Sequence, residues 1–432
     1  MKRFLDRYVF SSEKSISLFS MASLTFLIVS LLTPVIGRNI PRAILLLAMA
    51  GFGCSVAKRV VLLTKREKIT LSFLALYMVI IAAYRVLGVS SAALYYYFNI
   101  VQFFFFLGAI ILIHKSLFKN QVVFLLVVSI GTVLVNLVSN VYLFFKHGSR
   151  TYIKLFNTTP LSNAINTQYS TAIMLLSCML FVWACYQRKL YFRLIGYSIS
   201  ACIFLFIVCI SQRMITLVFT VLLYFLLACY GLFTLLNKRL LRKQMTIVVL
   251  ILVVVIAVCF IFSIPILGFI RSCLPSDRLV QRINQIIRFL KTGDITLAGG
   301  SLSKRYELIM TSWNTFTASY GNFLLGVGDH RISNELIGNH SLIFDELARY
   351  GVLFAPVMYV LLYRSIKTIT CLAHSNSNTA KPDWPLYIIM FIFVLRAFVG
   401  AVFDSSIGIV IFIIIPLLYM SLDRDNHTLR SR

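Results

Sequence analysis

Acidic residues are what this chain has least of: 14 Asp and Glu stand against 41 Lys and Arg, a formal net charge of +27 in 432 residues. Charged residues of either sign make up 13% of it, about half the share a soluble domain carries. The surplus apolar surface must face something other than water, and lipid is the obvious candidate. A Walker A phosphate loop is missing, which excludes half of an ATP-driven pump. HExxH is missing too, and no acidic pair lies where a metal could be held outside the bilayer. The one Asp-x-Asp, Asp423 to Asp425, sits in the tail and reads as a solvated charge cluster. No CxxC or Cys/His cluster occurs. The nine cysteines are scattered singly through apolar runs, as small core or lipid-facing residues. Internal repeats, low-complexity tracts and the polar–apolar alternation of a membrane barrel are all absent.

What fills the chain instead is hydrophobic, 59% of it. Apolar runs of about 18 to 25 residues recur along its whole length, the span a bilayer demands of a helix. The runs predict spans near 16–36, 41–63, 69–87, 91–113, 121–145, 168–187, 194–211, 214–236, 245–268, 342–363, 385–402 and 405–422. The expectation is therefore an all-α polytopic membrane protein of about twelve transmembrane helices. The basic N-terminus followed by apolar sequence from Ile16, with no small-residue cleavage site, reads as a retained first helix.

The positive charge alternates with the spans. Lys2, Arg3, Arg7 and Lys14 begin one set of loops, continued by Lys58 to Lys68, Lys115 and Lys119, and Arg188 to Arg193. Lys238 to Lys243, Arg364 to Lys381 and the tail arginines complete it. Short basic loops of this kind face the cytoplasm, so both termini are expected inside. The same distribution argues against nucleic acid as the partner of so basic a chain; membrane lipid takes its place.

The other set of loops is short, except at 146–167 and in a segment of about seventy residues from Phe269 to Asn339 that carries eight Lys and Arg on the outer side. The chain thus divides into nine transmembrane helices over 1–268, an extracytoplasmic catalytic loop over 269–341, and three transmembrane helices with a cytoplasmic tail over 342–432. Two helices are predicted inside the loop. One runs from Asp277 to Lys291, with Leu279, Ile283, Ile286, Ile287 and Leu290 as its apolar stripe, and lies on the membrane surface. The other runs from Lys304 to Tyr320, with Tyr306, Ile309, Met310, Trp313 and Phe316 on one face and Gly321 as its stop. Beyond it, Gly326 and Gly328 in Leu-Leu-Gly-Val-Gly let the backbone turn tightly or approach a ligand.

Four residues could carry chemistry on the outer side. Arg213, in Ser-Gln-Arg, is either a snorkelling hairpin arginine or a phosphate ligand. Arg305 is either a surface cation paired with Glu307 or Asp294, or a second such ligand. Arg396, inside a span, is costly in lipid and must face the interior or a wet cavity, with Asp404 as a partner. His340, in Gly-Asn-His-Ser ahead of the tenth span, is either a cap or a general base. The helix N-terminus favours the uncharged imidazole, which can take a proton. Asp345 could orient a neighbour or pair with Arg349. His147, Arg150 and Lys154 contact headgroups or line an acceptor groove. A base beside guanidinium forks implies a hydroxyl attacking a carbon that bears a diphosphate leaving group.

At these residues the chain resembles the bacterial O-antigen ligase and Wzy polysaccharide polymerase superfamily. Ser211-Gln212-Arg213 opening an apolar helix is one patch. Arg305-Tyr-Glu-Leu, its amphipathic helix and Leu324 to Gly328 make the second, and His340 followed by Phe344, Leu347 and Gly351 the third. Ser341, Met214 and Ile309 stand where that family more often has Asn, Gly and an aromatic. The resemblance implies a GT-C-like fold and metal-independent glycosyl transfer without a cofactor. It implies that His340, Arg305 and Arg213 are catalytic, and that Arg213, Arg305, Gly326, Gly328 and Arg396 bind an undecaprenyl-diphosphate-linked glycan. The expected function is a polymerase joining lipid-linked oligosaccharide repeat units into capsule, exopolysaccharide or O-antigen at the outer face of the bacterial cytoplasmic membrane, with a chain-length regulator as partner. A ligase moving finished glycan to a lipid or protein acceptor would use the same residues. A flippase would instead need internal symmetry and paired broken helices, and neither is seen.

Overall fold

The computed structural model describes residues 16–86, 94–158, 166–187, 189–211, 214–237, 262–273, 277–297, 299–328, 336–374, 384–400 and 402–427. Among these every regular element is a helix and no strand occurs. The helices of the first half are α1 (Leu18–Leu32), α2 (Pro34–Asn39), α3 (Arg42–Val56), α4 (Lys65–Val86), α5 (Leu94–Ile113), α6 (Lys119–Thr158), α7 (Thr167–Tyr186), α8 (Leu190–Phe206) and α9 (Met214–Asn237). The second half has α10 (Ser263–Cys273), α11 (Asp277–Thr292), α12 (Gly300–Thr317), α13 (Tyr320–Leu325), α14 (Leu342–His374), α15 (Trp384–Phe398), α16 (Ser405–Ile409) and α17 (Ile415–His427). Local sequence sets their starts. Asn166 accepts from the Tyr169 amide at 2.7 Å to cap α7, Ser17 does the same for α1 at 3.2 Å, and Pro34 opens α2 where its missing N–H leaves no partner wanting.

Among the described residues seven helices are long and apolar enough to cross a membrane: Arg42–Leu62, Lys65–Val86, Tyr97–Ser116, Lys119–Gly148, Thr167–Tyr186, Leu190–Ile210 and Leu342–Leu372. Shorter apolar helices at Leu18–Leu32, Thr216–Gly231, Trp384–Phe398 and Ser405–Ser421 fall on four more of the expected spans. The span expected at 245–268 lies mostly outside the described residues. At the centre, Phe103 on α5 meets Phe412 at 4.9 Å and Phe403 at 5.1 Å between ring centroids. Edge-to-face contacts of this kind add to the burial of each ring. Gly408 lets the chain come this close, since a β-carbon there would stand 2.9 Å from the Phe103 carbonyl oxygen.

Three local expectations change. The loop at 146–167 is helical as far as Thr158, because α6 continues past a bend at Gly148 with φ of 73°. The second loop helix stops at Thr317 rather than at Gly321, and the chain restarts as α13 with Ser319 capping the amide of Asn322 at 3.1 Å. Gly326, not Gly321, is the left-handed stop, with φ of 75°.

The third change matters most. The tenth span does not run straight from residue 342. At Gly351 (φ 61°, ψ −175°) α14 folds back on itself. The Tyr359 hydroxyl donates to the Ile343 carbonyl at 2.7 Å, whereas sixteen residues of straight helix would separate those positions by about 24 Å. Residues 342–350 form one short arm, and the arm from 352 onward is the part long enough to cross. The long arm packs along α4, with the Thr70 and Thr368 hydroxyls 3.1 Å apart at one end and the Tyr84 and Phe354 rings 5.9 Å apart at the other. Glycine is required at the fold. A β-carbon on Gly351 would lie 2.3 Å from the Leu324 carbonyl oxygen, and its φ is one that side chains rarely adopt.

Candidate functional site

The fold-back sets the short arm of α14 beside α12, and the loop carrying His340 feeds into that arm. Along α12, Arg305, Leu308, Ser312 and Thr315 recur at helical spacing and form one face. That face meets the loop. A β-carbon on Gly338 would lie 1.9 Å from the Leu308 carbonyl oxygen, and the Ser312 hydroxyl accepts from the Gly338 amide at 2.9 Å. Thr315 donates to the Leu336 carbonyl at 2.5 Å. Arg305 is one turn before Leu308, so His340 and Arg305 share this seam.

The apolar stripe read on one face of α12 is not the face packed against this loop. Tyr306 and Trp313 are 37% and 39% exposed, while Ser312 is fully buried. Phe316, at the border of the two faces, is the stripe member that packs inside, with Ile337 and Ala348.

Arg305 reaches the other way to α15, where its Nη1 donates to the Val399 carbonyl at 3.3 Å. One residue further on, a β-carbon on Gly400 would lie 1.7 Å from Nη1 of Arg396. Both guanidinium groups thus gather at residues 399–400, close enough to act on each other as like charges. Arg396 is 2% exposed, and its Nε and Nη1 have no hydrogen-bond partner among the described residues. The carboxylates named as partners are engaged elsewhere. Glu307 accepts from the Ser303 hydroxyl at 3.1 Å, Asp294 from the Thr296 amide at 2.8 Å, and Asp404 from the Ser406 amide at 3.0 Å. Two bonds to Thr296 hold the Asp294 carboxyl below its usual range, and burial lowers the pKa of Arg305 from its ordinary value. Guanidinium stays charged even so, and two such charges side by side, one of them buried and with no carboxylate on either among the described residues, are costly until an anion arrives.

His340 is half-buried and its Nδ1 lies 3.0 Å from the Gly338 carbonyl. A carbonyl can only accept, so this nitrogen carries the proton, and in the uncharged ring Nε2 keeps its lone pair. The residue does not cap α14. Ser341 does, accepting from the Phe344 amide at 3.3 Å. Arg349 donates to Glu346 at 3.3 Å and to the Asn339 side chain, its charge also acts on the Asp345 carboxylate, and Tyr77 donates to Glu346 at 2.9 Å. Asn339 has φ of 55°, the only non-glycine residue with positive φ among those described. Such a conformation persists where the surroundings fix it.

Gly326 and Gly328 lie against the same arm. The amides of Val327 and Gly328 donate to the carbonyls of Ala348 and Arg349, each at 2.9 Å. A β-carbon on Gly326 would stand 2.3 Å from the Arg349 carbonyl. The close approach these glycines permit is made to the α14 backbone. Arg213 lies outside the described residues. Among the described residues, no group of three His, Cys, Asp or Glu side chains is placed to hold a metal ion.

Fold and site together describe an all-helical chain with the long apolar helices of a membrane protein, and two arginines brought together beside the seam that carries His340. Compared with models of known protein families the chain matches none, and no curated protein matches it.

Proposed function

We propose that the chain is a membrane glycosyltransferase, a polymerase joining undecaprenyl-diphosphate-linked oligosaccharide repeat units into a surface polysaccharide. In this reading about twelve helices in a GT-C-like arrangement cross the bacterial cytoplasmic membrane. Both termini face inward and the seam of α12, α14 and α15 faces outward. The observation that carries it is the convergence of Arg305 and Arg396 at residues 399–400, with no carboxylate on either among the described residues, beside the loop that bears His340. Two guanidinium forks match the oxygens of a diphosphate, and the charge growing on that leaving group is what they stabilise. His340 Nε2 takes the proton from the attacking sugar hydroxyl as the glycosidic bond forms. The bond from the anomeric carbon to the diphosphate breaks, and the configuration there inverts. Arg213 joins the diphosphate clamp.

Purified protein given lipid-linked repeat units, with no nucleotide sugar, should yield a ladder of lengthening products, and chelator should leave it unchanged. Transfer of one intact glycan to an unrelated acceptor, with no ladder, would mark the chain as a ligase. No transfer to any acceptor would end the proposal.

A further inference from the structure

The carboxylate of Asp345 is 3% exposed and uses both oxygens on the His340 loop. Oδ1 accepts from the Ser312 hydroxyl at 2.6 Å, and Oδ2 accepts from the Ser341 amide at 3.1 Å. The same Ser312 oxygen accepts from the Gly338 amide at 2.9 Å. One charged acceptor therefore holds the backbone on both sides of Asn339–His340, directly on one side and through a hydroxyl on the other. Ser312 and Ser341 are both fully buried, so water does not compete for these bonds. The imidazole adds its own contact to the Gly338 carbonyl, and the amide clamped by Ser312 belongs to that same glycine. Fixing residue 338 thus fixes which way Nε2 points.

We infer that Ser312 and Asp345 are positioning residues for His340: a hydroxyl–carboxylate relay from α12 to α14 that holds the loop with Nε2 turned toward the arginine pair. Neither residue touches substrate. Their effect passes through the base, and the inference rests on the base role proposed above. Hydrogen bonds to an ionised acceptor are the stronger kind, and a displacement of about 1 Å at a reacting group costs on the order of a hundredfold in rate. Packing alone would be satisfied by Ala at 312; the relay requires a hydroxyl there.

The test uses the full chain in lipid nanodiscs with undecaprenyl-diphosphate-linked repeat units, reading donor binding and turnover separately. Ser312→Ala should bind donor at wild-type stoichiometry with Kd and KM within about twofold, while kcat falls about tenfold or more. Ser312→Thr, which restores the hydroxyl, should return kcat to within about threefold of wild type. In a His340→Ala background, adding Ser312→Ala should lower the residual rate less than about twofold, because residues acting as a unit are not additive. An equal loss in both backgrounds, or unchanged kcat in Ser312→Ala, would overturn the relay. Asp345→Asn is the second variant. If it and Ser312→Ala lose donor stoichiometry in step with turnover, the two residues are structural and the inference falls. A wild-type chain that transfers nothing sinks the proposed function itself, and full activity in His340→Ala sinks the base; both outcomes are distinct from a failed relay.

Discussion

The carbonyl oxygen of Leu308 occupies the space a side chain on residue 338 would need, 1.9 Å from the position of its β-carbon. That contact sets the distance between α12 and the His340 loop. Gly338→Ala must push the two apart by more than an ångström. Glycosyl transfer should then fall on the order of a hundredfold, while donor binding, which rests on the arginines, stays near wild type. Transfer and binding assays on the one variant separate the two effects.

Arg396 should oppose stability and serve activity. Arg396→Met removes a buried guanidinium whose Nε and Nη1 lack partners among the described residues. The purified protein without donor should be stabilised by on the order of 1 kcal/mol, seen as a raised thermal midpoint. Donor affinity should drop in the same variant, as expected where function keeps a costly group in place. Gly400→Ala should lose donor affinity too, because its methyl would displace the Arg396 guanidinium.

Arg305 should not tolerate lysine. An ammonium is a point charge and cannot reproduce a planar fork spanning two acceptors. Arg305→Lys should keep less than about a tenth of wild-type turnover, and Arg305→Ala about a hundredth or less, measured at saturating acceptor.

The fold-back of α14 should be a stability determinant rather than a catalytic one. Gly351→Ala and Gly326→Ala each put a β-carbon 2.3 Å from backbone atoms at positive φ. Conformational strain alone costs about 1–3 kcal/mol, and the collisions add to it. Both variants should show lowered thermal midpoints and reduced folded yield, with turnover per folded molecule reduced less than in Gly338→Ala.

Much of this architecture was legible in the sequence. Apolar runs of bilayer length mark the helices, and the bounds expected for α11 and α12 differ from those observed by a few residues. Three features were not. The hydrophobic stripe on α12 was legible as one face, but not which way that face turns. In a membrane protein apolar residues also cover the outside, and here the polar line of Arg305 and Ser312 turns inward to the site. The α14 fold-back leaves little trace, since Gly351 reverses the chain without changing hydropathy, and Asp345, Glu346 and Arg349 ahead of it read as charges at the end of a span. Arg396 and Arg305 belong to helices far apart in sequence, so their meeting at residues 399–400 is a tertiary fact that no spacing encodes. His340, by contrast, stood out from its place ahead of a helix, and Ser312 carried no signal beyond being a serine on an amphipathic helix.

The most direct test compares His340→Ala with Arg305→Ala for donor binding and for transfer. The account predicts that His340→Ala binds the lipid-linked donor nearly as wild type yet transfers at least about a hundredfold more slowly, whereas Arg305→Ala loses binding and transfer together. A His340→Ala protein that builds product at the wild-type rate would contradict it.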